Sequence, residues 1–193
     1  MNMKNLVRAV ALAAAVAAAP SVLLAQKNQF EVGSKVLNVG VVIGDEVGGG
    51  IGLGAGFEVG IKDIAGQVRL GIGGAVSILR NDYGTGVRTP TYTYEYTNTV
   101  MPIVVFVNGH YQLEQVPKLD LFAGPVVGIT RYSTKSEVRT GGSTTSSTAS
   151  SSDPAIGIQA GGRYELAPRI AASAQLSAGN NLPFLTAGIA IKF

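Results

Sequence analysis

The chain contains no cysteine and a single histidine, and only 14% of its residues are charged. Without cysteine there are no disulfides, no thiol chemistry and no thiolate metal site. A lone imidazole, His110, gives no basis for a transition-metal cluster, so neither a metal nor another cofactor is expected. Net charge is scarce too. The formal value is +3, and Lys4 and Arg8 sit in a leader-like segment. Without those two it falls to about +1, too little to argue for nucleic acid. Beyond residue 25 no apolar run is long enough to cross a bilayer as a helix. If this part of the chain enters a membrane, it does so as strands.

What is present begins with that leader. Met1 to Arg8 carries two bases and no acid, an Ala/Val/Leu run follows from Ala9 to Ala19, and Pro20-Ser-Val-Leu-Leu-Ala25 precedes Gln26. This is the pattern of a secretory signal peptide, residues 1–25, removed after Ala25. The apolar run is short for a core about 30 Å thick, and no basic stop-transfer cluster follows it. The exported chain is then about 168 residues, enough for one domain.

From residue 35 onward the sequence alternates with period two in eight places. The cleanest segment sets Ile51, Leu53, Ala55, Phe57, Val59 and Ile61 against Gly52, Gly54, Gly56, Glu58 and Gly60. The others run over 37–44, 67–78, 101–113, 119–129, 156–166, 170–178 and 185–193. The last keeps its alternation to Phe193. Most have the length of a tilted strand that crosses a membrane. Connections after the second, fourth and sixth segments are tight. Those after the third and fifth are long, about 80–98 and 133–153, and those after the first and seventh are short, polar or glycine-rich. Tight turns on one side and longer loops on the other fit periplasmic turns and extracellular loops. The expected fold is all-β: an eight-stranded antiparallel up-and-down transmembrane barrel over 35–193, preceded by a short periplasmic N-terminal segment, 26–34.

A soluble barrel would turn its polar face to water. Here that face is mostly glycine, alanine and serine with sparse charges, a poor covering for a soluble surface and a reasonable lining for a tight lumen. Glu58, Arg69, His110, Asp120, Arg163, Glu165 and Lys192 all fall on it and are expected to form a lumen polar network, because unpaired buried charge is costly. On the lipid face each basic group near the midplane would cost about 2–4 kcal/mol. Tyr111, Tyr164 and Phe193 point outward near the periplasmic strand ends, as an aromatic girdle does. Glycines on the inner face favour some free volume, while Phe106 and Phe122 on the same face are positioned to plug it. Pro125 lies mid-segment and cannot donate to a ladder, so a bulge is expected near Gly124-Pro125.

With leader, eight segments, loop parity and terminal Phe193 in place, the exported chain resembles the small outer-membrane barrels of the OmpX and OmpA type. The resemblance implies an outer-membrane protein of Gram-negative-type bacteria, surrounded by lipid and lipopolysaccharide. It further implies a terminal strand, ending at Phe193, that is read by the outer-membrane assembly machinery. Roles in that family range over adhesion, protection, lipid enzymes and narrow channels, and fold alone does not choose among them.

The residues narrow the choice. An enzyme would have to be built on His110, which is expected near the periplasmic end, away from outer-leaflet substrates. Asp120 shares its face, but no serine there is an obvious nucleophile. The Gly48–Gly56 cluster lacks phosphate-loop spacing and has no following helix. The loops are the expected places for interaction. Tyr92, Tyr94 and Tyr96 share one face if extended, and could continue a hairpin whose edge pairs with an extracellular partner. Gly141–Ser152 reads as a flexible polar tract, and Arg131, Lys135 and Arg139 upstream of it are candidates for lipopolysaccharide contact. The expected role is structural or surface-interacting and non-catalytic. A narrow porin-like channel is the alternative, and a lipid-modifying enzyme is the least favoured.

Overall fold

The computed structural model describes residues 30–44, 50–65, 68–83, 92–140 and 142–193. The leader and residues 26–29 lie outside the described residues. Eight strands follow one another: β1 (Lys35–Gly44), β2 (Gly50–Ala65), β3 (Val68–Tyr83), β4 (Tyr92–Gln112), β5 (Leu119–Thr140), β6 (Ser143–Ala167), β7 (Ile170–Asn180) and β8 (Leu185–Lys192). Each pairs antiparallel with its neighbour, and β8 returns to β1 from Val36↔Lys192 to Ile43↔Leu185. The ring is closed. Closure pairs both sides of every strand within it, which allows strands to cross lipid without exposed amides.

Alternation decides which side chains go where. Leu53, Val76, Ile78, Val105, Val127 and Ile158 stand exposed on the outer wall, an apolar belt that fits acyl chains rather than water. Val42, Glu58, Phe106, Asn108, His110, Phe122, Val126 and Arg163 are buried in the lumen. Some of the inner glycines seat aromatic rings. A Cβ on Gly73 would stand 2.5 Å from the Phe106 ring, and one on Gly161 would stand 2.6 Å from the Phe122 ring. Beside the Phe106 ring lies a cavity of about 60 Å³, lined also by Gln159, Arg163, Gln175 and Leu182.

Three expectations change. First, there is no bulge at Pro125. The β4–β5 ladder runs Phe106↔Val126 and resumes at Gly109↔Ala123 in the same register, and β5–β6 continues through Pro125↔Ile158. The missing amide costs ladder bonds on one side while the other neighbour holds the strand, so no extra residue is needed. The register shifts fall instead near the turn ends of β2 and β6, at Gly60/Lys62, Asp63/Ala65 and Glu165/Ala167. Second, much of 80–98 is strand, since β3 reaches Tyr83 and β4 starts at Tyr92. Third, 133–153 is not a loop. β5 and β6 stay paired up to Thr140↔Ser143, with Gly142 at φ 89° between them. Glycine at positive φ is what a tight hairpin turn asks for. Pairing with β5 makes the Ser/Thr tract a strand by giving it a partner at every residue.

Candidate functional site

The barrel has two distinct ends. At the end carrying the termini, four ionisable groups from four strands meet in the lumen. His110 Nε2 is 2.8 Å from Glu58 Oε1, and His110 Nδ1 is 3.0 Å from Asp120 Oδ2. Arg163 Nη2 donates to Glu58 Oε2, and Arg163 Nη1 lies 3.5 Å from Asp120. Carboxylates only accept, so His110 satisfies both neighbours as the imidazolium. In that form the cluster carries two positive and two negative charges. Neutrality is what permits its burial.

An amide chain extends the cluster across the lumen. Asn108 Nδ2 donates to Glu58 (2.9 Å), Gln159 to Asn108 Oδ1 (2.9 Å) and Gln175 to Gln159 Oε1 (2.9 Å). These three amides are on the inner face that alternation predicts, but uncharged residues drew no attention beside the ionisable ones.

The remaining sequence-predicted residues spread toward the terminus-end rim. Arg69 is buried and pairs with Asp63 at 3.1 Å. Glu165 and Lys192 line a mouth cavity of about 390 Å³ with Asp120, Arg163 and Arg169. Tyr111 is exposed, Phe193 is exposed at the rim of the mouth cavity, and Tyr164 is half-buried. Phe30, which no alternation pattern includes, stands inside the barrel against His110, with ring centroids 3.7 Å apart. With a carboxylate on each ring nitrogen and a phenyl ring on one face, His110 has no position left from which to activate a hydroxyl.

The opposite end is closed by apolar packing. The β7–β8 connection turns inward, and Leu182 is buried with Phe106, Val126 and Ala155. Asn181, at φ 59°, anchors the turn. Its carbonyl accepts from Thr130 Oγ1 (2.6 Å), its Oδ1 accepts from the Tyr132 hydroxyl (2.7 Å), and its Nδ2 donates to the Pro154 carbonyl (2.8 Å).

Above this cap three strands continue as a projecting sheet. β3 leaves β4 at Tyr83↔Tyr96, and β6 meets β7 from Ile156 onward. Among the described residues nothing pairs with the other edge of Ser143–Asp153. Tyr92 opens β4 opposite Thr140. Tyr94 and Tyr96 share a face, their hydroxyls hydrogen-bonded and their rings edge to face at 4.4 Å. On the other face Lys135 bonds Glu137 at 2.6 Å, and Arg139 lies 3.5 Å from Glu137 and 3.8 Å from Glu95. The Lys135 hydrogen bond and charge hold the Glu137 carboxyl below the usual carboxylate value, with a smaller contribution from Arg139.

The same ring architecture occurs among solved structures. The attachment invasion locus protein Ail of Yersinia pestis aligns over 84% of this chain and 99% of its own, at 11% identity and a TM-score of 0.50. For Ail in complex with the heparin analogue sucrose octasulfate the TM-score is 0.55, again at 11% identity and with the same shares of each chain covered. This chain has the fold of the small eight-stranded outer-membrane barrels. Neisserial surface protein A aligns over 83% of this chain and 96% of its own at 14% identity, with a TM-score of 0.30, too low to carry an argument. No family model matches the sequence, and no curated protein matches it.

Proposed function

We propose that this protein is a non-catalytic surface-interaction protein of the outer membrane, and that its working part is the free edge of β6 in the projecting sheet. Ser143–Asp153 is exposed and carries neither lysine nor proline, the usual devices that keep an edge from pairing. A partner in extended conformation would add a fourth strand there through main-chain hydrogen bonds. In this reading the termini face the periplasm and the projecting sheet faces outward, above the lipopolysaccharide headgroups. The strand ending at Phe193 is the one offered to the assembly machinery. The name of Ail, an attachment protein, is in keeping with such a role but at 11% identity lends it only the scaffold. The narrow-channel alternative draws less support, because Leu182 and Phe30 occupy the two ends of the lumen.

The test is to replace Lys135–Thr148 by an Asn-Gly turn between the paired residues Thr134 and Ala149. Cells displaying the full chain should adhere to an epithelial monolayer above an empty-vector control. Cells displaying the trimmed, still heat-modifiable barrel should not. Equal adherence of the two would remove the sheet from the function.

A further inference from the structure

We propose that the barrel contains an aromatic-ring site at its terminus end and that the chain fills this site itself, with residues 30–34 acting as a built-in stopper. Phe30 is 2% exposed although it precedes the first strand. Its ring lies nearly parallel to that of His110, with an interplanar angle of 15°. The Arg163 guanidinium sits 5.9 Å from the Phe30 centroid and 4.7 Å from that of Phe122, between two π faces. This arrangement accounts for an otherwise costly feature. Arg163 Nε and Nη1 are buried without a hydrogen bond, Nη1 having only the longer 3.5 Å contact with Asp120, and ring faces at these distances add to what that cation can use.

The backbone is shaped to deliver the ring. Gly33, at φ 85°, turns the strap. Its amide donates to the Gly60 carbonyl (2.8 Å), and the Gly60 amide donates to Ser34 O (2.9 Å). Ser34 closes the turn on itself, its amide donating to Glu31 O and its hydroxyl accepting from the Glu31 amide, both at 2.9 Å. Two glycines of the wall leave the room. A Cβ on Gly60 would stand 2.1 Å from Glu31 O, and one on Gly71 would stand 2.9 Å from the tip of the Phe30 ring. An apolar residue that was merely tucked away would rest on aliphatic wall. This one rests on the charged cluster, and it lines the mouth cavity beside Asp120 and Arg163 while Glu58 and His110 stay buried behind that wall. Being tethered, the ring holds its place at a high effective concentration. The chemical class the site takes is an uncharged aromatic ring.

Two measurements on the purified protein in detergent test this. In a chain without cysteine, Phe30→Cys should react with a charged maleimide ~10-fold or more slowly than Val32→Cys, because labelling must wait for local opening. Val32 is the natural control, two residues away and 52% exposed. Equal rates would overturn the stopper. If Phe30→Cys does not fold, Phe30→Trp serves, as the only tryptophan in the chain. Its emission should be shielded from acrylamide, and free quenching would overturn the proposal equally. Second, toluene or indole should raise the unfolding temperature of Phe30→Ala and leave the parent unchanged, as small aromatics do in a ring-sized cavity. No rise in the variant, or the same rise in both, would overturn the ring site.

Discussion

Two groups of charged residues, both with members on β4 and β5, sit at opposite heights and do opposite work. Within the barrel, Glu58, His110, Asp120 and Arg163 are buried and joined at both ends of each contact. On the projecting sheet, Lys135, Glu137, Arg139 and Glu95 form pairs at comparable distances in open water. Distance therefore says little about worth. An exposed pair competes with hydration and is worth at most about 1 kcal/mol. A buried pair gains little over an apolar filling, yet losing one partner strands a charge where water cannot reach it. The lower group joins β2, β4, β5 and β6 inside the ring. The upper group covers one face of a tall sheet with charge.

The largest effect should come from breaking the lower group. Glu58→Gln removes the negative charge and one of the two acceptor oxygens that serve Asn108, His110 and Arg163, and is expected to cost about 3–5 kcal/mol in urea unfolding. Adding Arg163→Met should recover part of that loss. A further drop in the double variant would show that the group is not a compensated unit. Gly73→Ala forces a methyl against the Phe106 ring and the Phe57 carbonyl, for an expected cost of about 1–3 kcal/mol by the same assay. Arg169 at φ 74° follows Pro168 in the β6–β7 turn, where glycine is preferred. Arg169→Gly should therefore stabilise by about 0.5–1 kcal/mol, read as a higher unfolding midpoint. Smallest is the upper group, where Glu137→Gln should leave the midpoint unmoved. Its signature is titration. The folded carboxyl is depressed, so any contribution is present at neutral pH and fades as pH falls through that lowered value. In Lys135→Ala the Glu137 carbon resonance should titrate at higher pH than in the parent. No change would mean that Lys135 does not hold the carboxyl.

Much of the fold was legible because one rule, period two, operates wherever one side of a strand is lipid and the other is lumen. It places Leu53 outside and Glu58 inside with no knowledge of partners. The rule weakens where both sides are water, so Ser143–Asp153 read as flexible although it is strand. The informative feature there was local, the glycine at 142, a residue that a tight hairpin turn favours. Pro125 misled for another reason: a strand in a closed sheet has two neighbours, and loss of a donor on one side leaves the other ladder to keep the register. Phe30 gave no signal at all. Its place depends on contacts with β3, β4 and β6, which come together only when the ring closes.

The paired state of the Ser/Thr tract also sets a length. As a flexible coil, Ser143–Pro154 would average roughly 20 Å end to end and sample every direction. As a strand it rises about 35 Å along its own axis. The Gly142 tip is thus carried at a constant distance from the bilayer, like the head of a mast stepped on the barrel rim. In the orientation proposed above, what meets that tip is decided by height: an object held back by a surface layer thinner than the mast can touch it, and one kept farther off cannot.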